Sequence, residues 1–315
     1  MRVAVLDDFH QAYEPTEGLR RLRQRAEVRV FTAPFGDAAA LRGYDALIAN
    51  RERTHFTRAL FEQLPDLRVI AQTGGHAYHI DLAAAKERGI VVAKASGGFC
   101  KGAGELTIGL AIALMRQIPA ADAAVKSGHW PTPLGRELQG KTLGIVGLGN
   151  IGRHVAKLAN AFEMRVLSWS RRQDSAAAAA AGCQACELDE LLQRADVVSI
   201  HAALAPETRG LIDARRLALM KKTAYLSNTA RGAIVDEAAL VAALASRSIA
   251  GAALDVFDTE PLPPGHPLIT LPNVILTPHL GWPTDQMYEQ FAQAAADVLI
   301  AYLDGREVPR FEMRQ

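Results

Sequence analysis

Short apolar or β-branched runs alternate with helically spaced stretches along the first hundred residues. Val3–Leu6, Val28–Phe31, Ala46–Ala49, Val69–Ala71 and Ile90–Val92 read as strands. Gly18–Arg25, Arg58–Gln63 and Leu82–Glu87 read as helices between them, with Gly89 where the last should stop. Alternating strand and helix predicts a parallel sheet covered on both faces. Gly97-Gly98 marks a break, and Glu105–Arg116 predicts a long apolar helix connecting two domains. A second series starts at Thr142, with strands at Leu143–Val146, Arg165–Ser168, Val197–Ile200, Ala224–Leu226, Gly251–Leu254 and Val274–Leu276. Six strands with intervening helices predict a doubly wound nucleotide domain. The alanine run Ala176–Ala181 reads as helix, capped by Asp174 or Ser175 and ended by Gly182. Thr284–Leu303 is helical again but has no strand left to serve in the second series. It is predicted to return to the first domain, which becomes discontinuous: 1–97 with 285–315, around an inserted 98–284.

Length and charge narrow the function classes. A chain of 315 residues suits about two domains. Its 35 basic and 34 acidic residues leave a net charge of +1, so neither nucleic acid nor an anionic membrane is an expected partner. No run approaches the ~18 apolar residues of a membrane span. Met1–Asp8 reads as a strand running into acidic residues, not a signal peptide. Cys100, Cys183 and Cys186 make no disulfide framework, and a cytoplasmic protein is expected. Cys183-x-x-Cys186 lacks a second pair for zinc and follows a helix instead of opening one. It reads as two ordinary thiols, and no metal site is expected.

Gly147-Leu148-Gly149-Asn150-Ile151-Gly152 stands between an apolar strand and a helix carrying Val155, Leu158, Ala159 and Phe162. That context predicts dinucleotide binding. Gly147 allows the tight turn, Gly149 lets the backbone approach a pyrophosphate, and Gly152 lets the helix lie close to the sheet. Asn150 and Ile151 open the helix whose N-terminus favours the anion. The alternative is a sharp βα turn without a ligand. The ribose is read about 20 residues further on, at the tip of the next strand. Here the tip carries Ser170, Arg171 and Arg172, and no carboxylate. A hydroxyl and guanidinium groups suit a 2′-phosphate, so NADP is favoured. NAD is the alternative, with both arginines solvated.

Reactive side chains stand at the ends of later strands, where ligands bind in open α/β sheets. Arg231 lies in Ser227–Gly232, Glu260 follows Leu254–Phe257, and His279 lies in Leu276–Trp282. Together they suffice for hydride transfer to a 2-oxo acid. The arginine clamps a carboxylate and polarises the carbonyl, the histidine donates the proton, and the glutamate orients the imidazolium and raises its pKa. Singly, each has a plainer reading: Arg231 as a helix cap, Glu260 as loop, His279 as a core histidine.

With Gly144–Gly152, Asn228-Thr229-Ala230-Arg231-Gly232, Ala253–Phe257 with Glu260-Pro261, and Thr277-Pro278-His279, the chain resembles the D-isomer-specific 2-hydroxyacid dehydrogenase family from about Ala46 to Leu303. The resemblance implies a flavodoxin-like substrate domain split around a Rossmann cofactor domain, and a homodimer built through the cofactor domains. It implies Arg231 as the substrate arginine and His279, partnered by Glu260, as acid/base. Thr73-Gly74-Gly75-His76 resembles the loop whose N–H groups hold the carboxylate. The family more often has a small or apolar residue at His76, which therefore shapes specificity or fills the cleft. Arg51 and Arg53 fall near that cleft, to meet an acidic or phosphorylated substrate or to be solvated. His201, Ala202 and Thr208 match the loop beside the adenosine and pyrophosphate. Thr229 and Asp255 match positions around the nicotinamide, Asp255 near its carboxamide, and Ala230 and Gly281 join them as cofactor candidates.

The sequence departs from the pattern at the missing ribose carboxylate, which favours NADP. It also ends at Gln315, so the regulatory domains of long-form phosphoglycerate dehydrogenases, with their serine feedback, are not expected. Formate dehydrogenases pair the histidine with glutamine, which Glu260 argues against. Phosphite dehydrogenases resemble the same triad. A nucleotide-sensing corepressor is the rival from another class, and turnover separates it from an enzyme. The reading is an NADP-preferring 2-oxoacid reductase yielding D-2-hydroxy acids, with the substrate side chain left open.

Overall fold

The computed structural model describes residues 1–98 and 100–311. The chain divides into two compact units, Met1–Gly98 with Pro283–Gln315, and Phe99–Trp282. Phe99 and residues 312–315 of the expected domain spans lie outside the described residues.

The first unit contains β1 (Arg2–Val5), α1 (Glu17–Arg23), β2 (Glu27–Val30), β3 (Ala46–Ala49), α2 (Arg58–Glu62), β4 (Val69–Thr73), α3 (Leu82–Glu87) and β5 (Val91–Ala95). The strands are parallel in the order β2-β1-β3-β4-β5, the flavodoxin-like arrangement. Every residue of β3 and β4 is buried, as a strand covered on both faces requires. Edge strand β2 instead alternates exposed and half-buried residues. The long helix Asp285–Leu303 completes this unit, burying Tyr288, Phe291, Ala292, Ala295, Ala296 and Leu299 at helical spacing. It meets α1 backbone to backbone: a Cβ on Gly18 would lie 2.2 Å from the carbonyl carbon of Ala292.

The second unit opens with α4 (Lys101–Arg116) and α5 (Ile118–Lys126), joined through Gln117 in the left-handed region at φ 56°. Helix α4 starts at Lys101, ahead of the expected Glu105. Gly102 and Gly104, poor helix formers, hid its first turn, but packing sets it there. A Cβ on Gly104 would fall 2.8 Å from the His154 ring. There follow β6 (Thr142–Val146), α6 (Asn150–Ala161), β7 (Arg165–Trp169), α7 (Ser175–Ala180), β8 (Gln184–Ala185), α8 (Leu188–Arg194), β9 (Val197–Ile200), α9 (Ala214–Leu217), β10 (Tyr225–Asn228), α10 (Glu237–Ala245), β11 (Gly251–Leu254) and β12 (Val274–Leu276). The sheet has seven strands in the order β12-β11-β10-β9-β6-β7-β8. The strand beyond the expected six is β8, whose two residues are too few to show a periodicity. Strand order reverses between β6 and β9, the switch point where ligands bind such sheets.

Among the described residues no single helix is long and apolar enough to cross a membrane. The pair α4 and α5, bent by 62°, passes only together. Helix α4 packs Ile108, Ala111 and Met115 into the unit's own core against Leu143 and Ile145.

Candidate functional site

At the ends of β6 and β9 the three glycines do different jobs. Gly147 has φ 103°, and a Cβ on it would lie 2.5 Å from the Ala202 nitrogen. Only glycine combines that conformation with that approach. A Cβ on Gly152 would lie 2.2 Å from the Gly147 carbonyl oxygen, so the helix sits directly on the turn. Gly149 has nothing within 4 Å of its missing Cβ. It is the N-cap of α6 and offers no side-chain hydrogen bond, so the first N–H groups of the helix, at Asn150 and Ile151, lack intrahelical acceptors. Open space at a helix N-terminus fits a diphosphate.

The neighbouring loops are tied to this turn. Ser170 Oγ accepts the Leu148 N–H at 2.9 Å, bracing the glycine loop with the side chain expected at the ribose. Its own proton remains for a ligand. Arg171 meets a carboxylate that its local sequence does not supply: Nη1 lies 2.8 Å from Glu207 Oε2, both side chains mostly exposed. Arg172 is exposed. His201 Nε2 is 2.7 Å from Ser199 Oγ, while its buried Nδ1 has no partner among the described residues. Burial pushes the ring's pKa down to about 4, leaving it neutral at neutral pH. The Thr208 hydroxyl donates to Ala203 O at 2.7 Å and accepts the Ala205 N–H at 2.8 Å. It is committed to the loop and bears on a ligand through loop shape.

Arg231, Glu260 and His279 are brought together within the second unit. His279 Nδ1 is 2.7 Å from Glu260 Oε2, and Glu260 Oε1 accepts the Phe257 N–H at 2.9 Å. Burial works to raise the Glu260 pKa, but the His279 and Phe257 hydrogen bonds and the charges of His279 and Arg231 outweigh it, and the net shift is downward. The carboxylate is thus the acceptor and Nδ1 carries a proton. His279 Nε2 has no partner among the described residues. The Arg231 Nη1 donates to Ala230 O at 2.6 Å. Asn228 fixes this loop, its Oδ1 accepting the Ala230 N–H and its Nδ2 donating to Arg231 O. Gly232 lets the loop touch the Glu260 segment: a Cβ there would lie 2.1 Å from the Phe257 carbonyl carbon.

His279 sits at φ 55°, a left-handed conformation that costs a non-glycine residue roughly 1–2 kcal/mol. Asp255, with no exposed surface, holds it there. Its Oδ1 accepts Thr277 Oγ1 at 2.5 Å and the Leu280 N–H at 2.7 Å, and its Oδ2 accepts the Gly281 N–H at 2.8 Å. The carboxylate expected beside the carboxamide therefore clamps both sides of the histidine. The Gly281 N–H is occupied by that clamp, and its carbonyl accepts Cys100 Sγ at 3.0 Å. Thr229 donates to Thr107, whose own proton goes to Ala103 O at 2.8 Å; the two hydroxyls are 3.0 Å apart.

In the first unit, Gly74 has φ 90°, and Gly75 has nothing within 4 Å of its missing Cβ. His76 stacks on Tyr78 at 4.4 Å and has Nε2 3.6 Å from Glu52 Oε2. Arg51 is not solvated: its side chain is 16% exposed, with Nε 3.2 Å from Glu52. Burial alone would raise the Glu52 pKa, but Arg51 and His76 carry it down to about 2. Arg53 donates to Asp7 O at 2.5 Å and lies 4.7 Å over the Phe9 ring. The sequence reading placed Glu207 in the loop beside the adenosine but missed its pairing with Arg171, and it missed Thr107 and the clamping role of Asp255, because each meets a partner many residues distant.

Residues 108–281 match the family model described as D-isomer specific 2-hydroxyacid dehydrogenase, NAD binding domain. The chain is 43% identical to a glyoxylate reductase of Thermofilum pendens over 257 residues, 79% of this chain and 76% of that one. It is 38% identical to a D-3-phosphoglycerate dehydrogenase of Methanocaldococcus jannaschii over 305 residues, 96% of this chain but 56% of that longer relative. Among solved structures, it matches a phosphoglycerate oxidoreductase of Vibrio cholerae with a TM-score of 0.85 at 34% identity, over 97% of this chain and 99% of that one.

Proposed function

Because the chain belongs to the D-isomer-specific 2-hydroxyacid dehydrogenase family and moves a hydride between a nicotinamide cofactor and 2-oxo or 2-hydroxy acids, we propose that Arg231, Glu260 and His279 carry this chemistry. The observation behind the assignment is the 2.7 Å His279–Glu260 pair with the charge of Arg231 beside it. In the reductive direction Arg231 holds the substrate carboxylate and polarises its carbonyl oxygen. His279 delivers the Nε2 proton to that oxygen, and Glu260 stabilises the imidazolium and fixes the ring through Nδ1. In the oxidative direction the neutral ring takes the proton back. The N–H groups of Gly74 and Gly75 are the carboxylate donors of the first unit, with His76 beside them. The nicotinamide, when bound, supplies or accepts the hydride. Gly147, Gly149 and Gly152 with the start of α6 hold its pyrophosphate; Ala202, Thr229, Ala230 and Gly281 shape the walls around it. Initial rates with NADPH and NADH against a panel of 2-oxo acids, glyoxylate and hydroxypyruvate included, test this reading. Saturable turnover is expected; cofactor binding without turnover on any acid would move the protein to a sensing role.

In this reading NADP is preferred, with Ser170, Arg171 and Arg172 around the 2′-phosphate. Glu207 shares Arg171, so Arg172 carries more of the recognition. Replacing both arginines with alanine is expected to raise the KM for NADPH by roughly 10- to 10²-fold, the worth of a charged hydrogen bond or two, and to leave that for NADH unchanged. Wild-type rates higher with NADH than with NADPH would refute the preference.

The protein works as a homodimer in this proposal, joined through its cofactor units. Support comes from Trp130 and Leu134, 83% and 94% exposed, in the same stretch as the exposed Ile118 and Val125; clustered apolar exposure of this kind marks interfaces. In sedimentation the wild type should run as a dimer, and the Trp130→Ser/Leu134→Ser variant should shift toward monomer. A monomeric wild type would end this part of the proposal.

A further inference from the structure

The strap that carries Glu260, residues 257 to 266, contains no helix or strand, and most of its residues are exposed. Core burial therefore does not hold Glu260 within hydrogen-bond reach of His279. A free segment of this length would cost roughly 1–2 kcal/mol per residue to order. Apart from the Glu260–His279 pair itself, the side-chain contacts that tie the strap to the rest of the unit among the described residues are two, and both end on one carboxylate. Glu237 Oε2 accepts the Asp258 N–H at 3.4 Å, and Glu237 Oε1 accepts the His266 Nε2–H at 3.1 Å. The tautomer follows from the other nitrogen: His266 Nδ1 accepts the Leu268 N–H at 3.3 Å, so the proton is on Nε2. Leu268 is 1% exposed and roots the following 3₁₀ turn in the core.

Glu237 is the first residue of α10, whose N-cap is Asp236. The same segment begins at Arg231, and Gly232 presses it against Phe257. An acidic residue in a first helical turn is favourable by itself, but that does not account for the two contacts with the strap. The strap residue beside it is itself acidic: burial first, and then the charges of Glu237 and Asp236, raise the Asp258 pKa, with Arg209 acting against them. We propose that Glu237, through His266 and the Asp258 backbone, is the positioning residue that holds Glu260 against His279 and keeps the Glu260 strap in register with Arg231. The inference rests on the roles given to Arg231, Glu260 and His279 under Proposed function.

His266→Asn cuts the link selectively. Asparagine still caps the 3₁₀ turn by accepting the Leu268 N–H, but it is too short to reach Glu237. With glyoxylate as the probe, kcat is expected to fall about 10²-fold, as for an ångström-scale misplacement of a catalytic group, with the cofactor KM unchanged. The imidazolium loses its carboxylate partner, and the alkaline limb of the reductive pH profile is expected to move to lower pH. Glu237→Ala should behave alike, the double variant no worse than either single one, and Glu237→Gln, which keeps one acceptor, should recover part of the rate. A lower melting temperature with the wild-type pH limb retained would overturn the proposal and leave Glu237 a structural residue. His279→Ala is the control: if the limb persists there, the assignment of His279 is what fails. If the limb needs His279 but ignores His266 and Glu237, only the anchor fails.

Discussion

Alanine in place of His279 is expected to cut turnover by at least ~10²-fold, the usual worth of a general acid, while NADPH binds nearly as before. The first half follows from the geometry: Nε2 is the ring atom left for a substrate, and Nδ1 is engaged by Glu260 at 2.7 Å. The second half follows from location. The glycine loop and the adenosine-side loop stand at the ends of β6, β7 and β9, and His279 follows β12 at the sheet's far edge. Alanine also inherits a left-handed backbone at φ 55°, a strain of roughly 1–2 kcal/mol. His279→Asn separates the two effects, because asparagine tolerates that conformation but cannot serve as the acid. Both variants should lose turnover and keep their NADPH affinity in a fluorescence titration. Wild-type turnover in either would sink the assignment of the acid/base.

A single methyl group at Gly232 should do nearly as much damage. Its Cβ would lie 2.1 Å from the carbonyl carbon and 2.4 Å from the oxygen of Phe257. Both are backbone atoms, so no side-chain rotation relieves the overlap. Ordinary contact needs roughly 3.5–4 Å, and the Arg231 segment and the Glu260 strap must part by an ångström or more. Gly232→Ala is expected to lose about 10²-fold in kcat/KM with the cofactor dissociation constant unchanged. A variant with wild-type kcat/KM would show that the two segments need not touch for catalysis.

Strand and helix order was legible because each central strand is locally apolar and each helix locally periodic. β3 is buried at every residue and its sequence shows it; β4 shows it only as far as Ala71, because its last two buried residues are the polar Gln72 and Thr73. The dinucleotide turn was legible because its three glycines answer local demands at fixed spacing. Other features depend on partners brought by the fold. Helix α5 passed unread behind Pro119, and two-residue β8 carried no pattern. Arg171 looked like an isolated cation beside Arg172, yet Glu207 closes on it from beyond β9. The resemblance placed Asp255 near the carboxamide, and its part in holding the His279 loop was not legible. Its three donors lie between Thr277 and Gly281, on the loop after another strand. Spacing within a motif reports what a segment can do; which segment it meets is a tertiary property.

The helix Asp285–Leu303 also imposes an order on biosynthesis. The face of α1 around Gly18 meets its partner at Ala292, near the other end of the chain. At ribosomal rates of about 5–20 residues per second, that partner follows roughly tens of seconds after α1. Residues 1–98 therefore leave the ribosome with an uncovered apolar face, and the unit at 99–282 is fully synthesised before the one that precedes it in the chain can close. A chain terminated before the last helix would carry a complete cofactor unit beside a permanently open neighbour, a species marked for chaperone or protease.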